Sequence, residues 1–160
     1  MSANSRLTVA VHVLSWMELS RRRGHEWSTS EHISRSVRTN AVVIRRLLSD
    51  LRDGGIVASR RGAGAGWRLA RDASSLTLRE VDEALGAEPV YAMHRNEPSP
   101  RCVVARGIRP ALAPVYARVD DAVRAELART TVAEALDDAL AHTMEVAEPQ
   151  RSATTVREDR

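Results

Sequence analysis

The chain has 160 residues and a single cysteine, so it is long enough for one domain with an appendage and can bury a core without disulfide bonds. One cysteine excludes an intramolecular disulfide framework and any metal site built from several cysteines of one chain, and it favours a reducing compartment. The net charge of +3 is uneven, since residues 1–71 carry 13 arginines and five acidic residues, a net +8, and residues 72–160 carry −5. A basic first half favours a large anionic partner, most commonly nucleic acid.

Apolar residues at helical spacing predict a first amphipathic helix over residues 5–22. The apolar run from Leu7 to Leu19 is interrupted by charge and is too short to cross a bilayer. Arginines, rather than a small-residue cleavage site, follow this run. We therefore expect no membrane association and a cytoplasmic protein.

A second helix is predicted over residues 28–37, because Ser28 and Glu31 have the spacing of a capping box. After a turn at residues 38–40, a third helix is predicted over residues 41–53, capped by Thr39 or Asn40. Gly54 and Gly55 end it. Its apolar stripe is predicted to be buried: Ile44, Leu47, Leu48 and Leu51. The opposite face carries Val42, Arg46 and Ser49, with Arg45 and Thr39 on its flanks.

Two short extended runs, residues 56–61 and 67–70, flank a glycine-rich segment and predict a β-hairpin. Helices followed by such a hairpin have the order of a winged helix-turn-helix domain. In that arrangement the third helix suits the DNA major groove, and an arginine at the hairpin tip suits the minor groove. Trp16 and Trp67 are interpreted as core residues rather than platforms for stacked bases.

Backbone donors at the start of the second helix suit a DNA phosphate. The predicted DNA-binding residues are Ser28, Thr29, Ser30, Thr39, Asn40, Val42, Arg45, Arg46, Arg60 and Arg61. Arg60 is favoured less than Arg61, because neighbouring residues of a strand point to opposite faces. The alternative is that these arginines are solvated surface charges.

The second half is predicted to be helical. Thr77 and Glu80 have the spacing of a second capping box, which opens a short helix that ends near residue 85. A loop at residues 86–100 precedes a long helix at 101–129, and Pro110 and Pro114 predict a kink or a late start there. The long helix carries an apolar stripe that must be buried: Ile108, Leu112, Val115, Val119, Val123 and Leu127. A final helix, capped by Thr131 and Glu134, is predicted to end near His142.

The expected fold class is mainly α with a small β-hairpin wing, a winged helix-turn-helix domain followed by a long C-terminal dimerisation helix. The predicted organisation is a DNA-binding domain at residues 1–85, a linker or sensing loop at 86–100, dimerisation helices at 101–147 and a disordered tail at 148–160.

Residues 39–48, 51–57 and 59–70 resemble the Rrf2 family of bacterial winged-helix transcription regulators. The resemblance extends over roughly residues 5–140 and is strongest at 37–71. It implies a homodimer whose long C-terminal helices pair and whose two heads bind an inverted-repeat operator in double-stranded DNA. It also implies that Arg45 and Arg46 face the major groove and Arg61 the minor groove. The chain departs from the family pattern at Ala41, Ala63 and Ala65, which affects only local loop geometry.

Members of this family that bind an iron–sulfur cluster carry three cysteines in the loop that corresponds to residues 88–106. Only Cys102 is present here, so the chain resembles the one-cysteine branch and we expect no cofactor and no metal. Two interpretations of Cys102 stay open. It is a sensing residue for an oxidant or another effector, because a thiolate is stabilised near a helix start and beside Arg101 and Arg106. Alternatively, it is a small hydrophobic residue at a dimer seam.

The leading hypothesis is a homodimeric, sequence-specific transcription regulator that acts as a repressor and responds to an oxidant or a small molecule. One alternative is an adaptor whose winged helix binds protein, with the acidic C-terminal half of the chain as its contact surface. Another is a thiol enzyme that uses Cys102 with His94, but the sequence shows no oxyanion loop and no third orienting residue. We therefore expect no enzymatic activity.

Overall fold

The computed structural model describes residues 3–96, 99 and 101–152. It is mainly helical with one two-stranded antiparallel hairpin, so the predicted fold class is confirmed. Its elements in chain order are α1 (Ala3–Arg22), α2 (Ser30–Val37), α3 (Ala41–Asp53), β1 (Val57–Arg60), β2 (Gly66–Leu69), a 3₁₀ turn (Ala73–Ser75), α4 (Leu78–Ala84), α5 (Val103–Leu127) and α6 (Val132–Ser152). None of the helices in these ranges is long and apolar enough to cross a membrane.

The core lies where α1, α2, α3 and the hairpin meet. The predicted stripe of α3 is buried throughout: Ile44, Leu47, Leu48 and Leu51. Ala10, Val13, Leu14 and Met17 of α1 supply the facing surface. Trp16 and Trp67 are half-buried against this core, as predicted. Because this stripe is buried, the opposite face of α3 is turned toward solvent.

The starts of α2 and α3 differ in how well the sequence predicted them. Asn40 caps α3, since its Oδ1 accepts a hydrogen bond from the Val42 amide at 2.8 Å. The predicted cap of α2 at Ser28 is wrong, because Thr29 is the capping residue and its Oγ1 accepts from the His32 amide at 3.2 Å. Ser28 is extended instead. Its N–H donates to the Trp67 carbonyl at 2.9 Å, and its carbonyl accepts from the Trp67 amide at 2.8 Å.

The wing is anchored to the core by this Ser28–Trp67 bridge. In the hairpin, Val57 pairs with Leu69 and Arg60 with Gly66. A Cβ on Gly66 would lie 3.1 Å from the Ser28 carbonyl oxygen, so only glycine allows this close approach without a shift. Strand β1 is shorter than predicted, since Ile56 and Arg61 lie outside it, and β2 begins and ends one residue earlier than predicted.

The starts of α4 and α6 lie side by side. The Leu78 amide donates to the Thr130 carbonyl at 2.9 Å, and the Val132 amide donates to the Leu76 carbonyl at 2.8 Å. Both predicted capping boxes form there, one in which Thr77 bonds Glu80 and one in which Thr131 bonds Glu134. Val132 and Leu136 are buried, and α6 packs against α1. The start of α6 therefore belongs to the body of the winged head.

Helix α5 is long and has no fully buried residue. Pro110 and Pro114 lie inside one continuous helix that begins at Val103, so a late start at the prolines is wrong. Three residues of its apolar stripe are more than a third exposed: Ile108, Val115 and Val123. Helix α6 reaches Ser152, ten residues beyond the predicted end, and includes residues 148–152 of the predicted tail. The rest of that tail, residues 153–160, lies outside the described residues.

Candidate nucleic-acid interface

A groove of about 380 Å³ separates α3 from the wing. Five of the predicted DNA-binding residues line it: Thr29, Ser30, Arg45, Arg60 and Arg61. The groove is formed because the Ser28–Trp67 bridge holds the hairpin beside the start of α2, while the buried stripe of α3 turns the polar flank of that helix toward the hairpin. We call this feature the wing groove. Its arginines come from two elements and face one space, an arrangement suited to polyanions.

Arg45 is held at the edge of the wing groove by two residues of α2. Its Nη2 lies 2.9 Å from Glu31 Oε1, and its Nε donates to Ser30 Oγ at 3.2 Å. Ser30 Oγ in turn donates to Glu31 Oε2 at 3.2 Å. The pKa of Glu31 is lowered, first by a hydrogen bond from its own backbone N–H and then by Arg45. The Glu31 carboxylate therefore places a negative charge at the start of α2.

The start of α2 offers fewer free donors than the sequence predicted. Ser28 is buried and its N–H is bonded to Trp67, so this donor is not free for a phosphate. Ser30 is buried as well, whereas Thr29 is exposed. Two more predicted DNA-binding residues, Thr39 and Asn40, lie in the turn before α3, and both side chains already bond within the protein. Asn40 caps α3, and Thr39 Oγ1 donates to the Val37 carbonyl at 3.4 Å.

Arg46 lies on the other flank of α3. It lines a second groove, of about 620 Å³, together with Val43, Asp50 and Asp53. Arg46 is exposed and makes no side-chain hydrogen bond or ion pair with any residue that the structure describes. Between the two flanks, Val42 is 64% exposed. Helix α3 thus presents one arginine that has a partner and one that is free, on either side of an apolar residue.

The two arginines of the wing also differ. Arg60 Nε donates to the Gly64 carbonyl at 2.9 Å, and its guanidinium carbon lies 4.4 Å from the centre of the Trp27 ring. Arg68 approaches the same ring at 5.2 Å. Arg61 is exposed and has no polar partner among the described residues. The wing therefore holds Arg60 against the protein and leaves Arg61 free to bind.

Sequence reasoning did not assign Arg52 or Trp27 to this region. Arg52 also lines the wing groove, seven positions after Arg45 on the same flank of α3, and the helical period was the signal that could have found it. Arg52 is bonded to Ser49 Oγ at 3.1 Å and to Asp53 at 2.8 Å. Trp27 had no such signal, because its contact with Arg60 depends on how the hairpin folds back.

Comparison with known proteins decides the family. A family model named Rrf2, described as iron-dependent transcriptional regulator, matches residues 3–138. The chain belongs to the Rrf2 family.

Individual Rrf2 relatives agree with this assignment. YwnA of Bacillus subtilis, named as an HTH-type transcriptional regulator, is 37% identical over 135 residues, which cover 84% of this chain and 96% of YwnA. A crystal structure described as a DNA-binding protein is 32% identical, with a TM-score of 0.65, and covers 82% of this chain and 98% of its own. CymR of B. subtilis, described as its global cysteine regulator, is 25% identical with a TM-score of 0.56, over 81% and 94% of the two chains.

This Rrf2 chain is therefore a DNA-binding transcriptional regulator. Because its relatives are transcriptional regulators, it is not an enzyme, and the thiol-enzyme alternative is wrong.

The family description names iron, but the donor set of this chain does not fit an iron–sulfur cluster. A cluster is held by several thiolates, and the whole sequence supplies only Cys102. Across the described residues, no group of three or more His, Cys, Asp and Glu side chains lies close enough to hold a metal ion.

Proposed function

We propose that this Rrf2 chain is a homodimeric repressor that binds an inverted repeat, with α3 in the major groove and the wing in the adjacent minor groove. The wing groove is the observation that carries this proposal. It sets Arg45 on α3 and Arg61 on the wing around one space, within the half of the chain that has a net charge of +8. Bound to DNA, such a dimer acts in the cytoplasm and represses wherever its operator overlaps a promoter.

The unpartnered face of α5 supports a dimer. Its residues Ile108, Val115 and Val123 are each more than a third exposed, and an apolar stripe of this kind on a helix marks a face that packs against a partner. A second copy of α5 offers a matching stripe, so an isologous pair covers both faces and sets two winged heads apart. Two heads related by a twofold axis fit an inverted repeat.

A DNA-binding titration tests this function. A duplex carrying an inverted repeat, selected by the purified protein from a randomised library, is compared with a duplex that keeps one half-site and with a scrambled duplex of equal length. We expect tight binding to the full site, much weaker binding to the half-site, and an affinity that falls steeply with salt because phosphates are neutralised. Absence of selection, or equal affinity for all three duplexes at low salt, would overturn the proposal.

Cys102 is proposed as the point at which an oxidant acts. It is exposed, it stands at the N-cap position of α5, and its side chain makes no capping hydrogen bond. A peroxide transfers one oxygen atom to the thiol, which becomes a sulfenic acid, and the peroxide is reduced to water or an alcohol. We expect peroxide to change the affinity of the wild type for its operator and not that of Cys102→Ser. Equal responses of the two proteins would show that Cys102 senses nothing.

A further inference from the structure

The Glu31–Ser30–Arg45 network leaves only part of the arginine available. One edge of the Arg45 guanidinium, Nε and Nη2, is bonded to Ser30 and Glu31. Nη1 and the second hydrogen of Nη2 have no partner among the described residues. These two donors form a fork, and a fork of this kind matches the O6 and N7 acceptors of guanine. The network therefore fixes which edge of Arg45 can bind DNA.

The position of Glu31 also bears on how the start of α2 meets the phosphates of the DNA backbone. It lies in the first turn of α2, where backbone donors and the helix dipole would otherwise attract a phosphate. Its carboxylate occupies that position and is ion-paired with Arg45, and both side chains are more than half exposed. An anion at this place repels phosphates, and a paired Arg45 neutralises them poorly. Glu31 thus weakens contacts that every DNA sequence offers.

We propose that Glu31 is a specificity-determining positioning residue, which directs the free fork of Arg45 to a base pair and keeps Arg45 and the start of α2 from binding phosphates indiscriminately. This inference rests on the proposed DNA-reading function. Glu31 acts through Arg45, and it lowers affinity for random DNA while raising discrimination.

The test compares Glu31→Gln, Arg45→Ala and the double variant with the wild type. Glutamine keeps the size and the acceptor oxygen of Glu31 but removes its charge. The matched control is Glu83→Gln, which removes one charge from an exposed ion pair with Arg79 on α4, outside the wing groove. Each protein is titrated with the duplex selected by the wild type and with a scrambled duplex, at several salt concentrations. Thermal unfolding confirms that each variant is folded.

For Glu31→Gln we expect tighter binding to scrambled DNA, a salt dependence on that DNA steeper by about one counterion, and a ratio of selected to scrambled affinity that falls about tenfold. The loss of discrimination should map to one base pair of each half-site. In the Arg45→Ala background the same substitution should leave the ratio unchanged. Glu83→Gln should change both affinities alike.

Provided that the wild type discriminates the two duplexes, either of two results would overturn the inference. One is an unchanged ratio of selected to scrambled affinity in Glu31→Gln, and the other is an equal fall of that ratio with and without Arg45. If the wild type itself does not discriminate them, the proposed function fails first. The two failures are therefore separate observations. Ser30→Ala provides a second test, since it removes the hydroxyl that joins Arg45 and Glu31 and should shift the ratio in the same direction.

Discussion

Arg60 and Arg61 are sequence neighbours with opposite contacts. Arg60 is bonded to the Gly64 carbonyl and lies over Trp27, whereas Arg61 has no polar partner in the described part of the chain. We predict that Arg61→Ala weakens operator binding by roughly 1–3 kcal/mol and leaves the melting temperature unchanged. Arg60→Ala, by contrast, should lower the melting temperature, because the wing loses a hydrogen bond and a cation–π contact.

Fluorescence anisotropy and thermal unfolding measure these two effects. Arg129→Ala is the control, since Arg129 is exposed just after the end of α5 and forms an ion pair with Glu126, three positions before it. If Arg60→Ala reduced DNA affinity more than Arg61→Ala at an unchanged melting temperature, the assignment of Arg61 as the free wing arginine would be wrong.

Glu80 gives the molecule a defined acid sensitivity. Its pKa is lowered from 4.5 to about 2, first by the hydrogen bond from the Thr77 backbone and then by Arg71. A carboxyl whose folded pKa is depressed stabilises the fold above its unfolded pKa and loses that contribution as pH falls toward the folded value. We predict that Glu80→Gln lowers the free energy of unfolding by on the order of 1 kcal/mol at pH 7, and that this difference shrinks below pH 4.5 and is largely lost as the pH falls through about 2.

Denaturant unfolding at pH 7, 4 and 2.5 tests this prediction. Glu126→Gln removes a carboxylate from a fully surface-exposed pair and should have an effect close to zero at each pH. A difference between wild type and Glu80→Gln that stays constant over this range would contradict the role given to the charge of Glu80.

Single residues were predictable where the signal was local. The caps at Thr77 and Thr131 follow from spacing alone, and Asn40 was one of two candidates with Thr39, because a capping bond joins residues three or fewer positions apart. The cap at Thr29 was missed, because Ser28 is held in extended form by Trp67, which is distant in sequence. The partners of Arg45 were missed for the same reason, since Glu31 and Ser30 lie 14 and 15 positions away.

At the scale of elements, the contact between α3 and α4 depends on the absence of a side chain. A Cβ on Gly54 would lie 2.5 Å from Ala84 Cβ and 3.1 Å from Ala84 Cα, so backbone would have to move. We predict that Gly54→Ala lowers the free energy of unfolding by about 1–3 kcal/mol through overpacking. Gly107→Ala is the matched control, because nothing lies within 4 Å of its Cβ position inside α5.

Denaturant unfolding of both variants measures the contrast. Gly107→Ala should be neutral or stabilising by roughly 0.5–1 kcal/mol, since alanine costs less entropy than glycine in a helix. Equal effects of the two substitutions would show that α3 and α4 are not in tight contact at Gly54.

Periodicity predicted the helices and the hairpin well, because the pattern of apolar residues follows directly from which face is buried. The bounds of α3 agree with the prediction at both ends. The 3₁₀ turn at Ala73–Ser75 was missed, since it depends on one Asp72 cap and carries no periodic pattern. The length of α6 was underestimated, since the helix continues ten residues past the predicted end at His142.

At the scale of the whole molecule, the exposed stripe of α5 predicts assembly. Val115→Glu places a charge in the centre of that stripe, so we expect the variant to be monomeric in sedimentation experiments and to bind the inverted repeat no better than a half-site. Ala117→Glu is the control, because residue 117 lies two positions on, on the opposite side of the helix. A wild type that is monomeric at micromolar concentration, or a dimeric Val115→Glu, would contradict this mode of pairing.

Helix α5 packs against α4 of the head, is bonded along its length to the loop that precedes it, and ends beside the junction of α4 and α6. The Val90 amide donates to Asp120 Oδ1 at 2.9 Å, Arg109 Nη2 donates to the His94 carbonyl at 2.6 Å, and Thr77 bridges Thr131 just beyond its end. In a dimer paired through α5, the two heads would therefore keep a set rotational phase around the DNA axis. One extra base pair between half-sites turns one of them by about 35°, since B-DNA repeats every 10–10.5 base pairs. Operator spacing should accordingly tolerate changes of a full helical turn better than changes of a few base pairs.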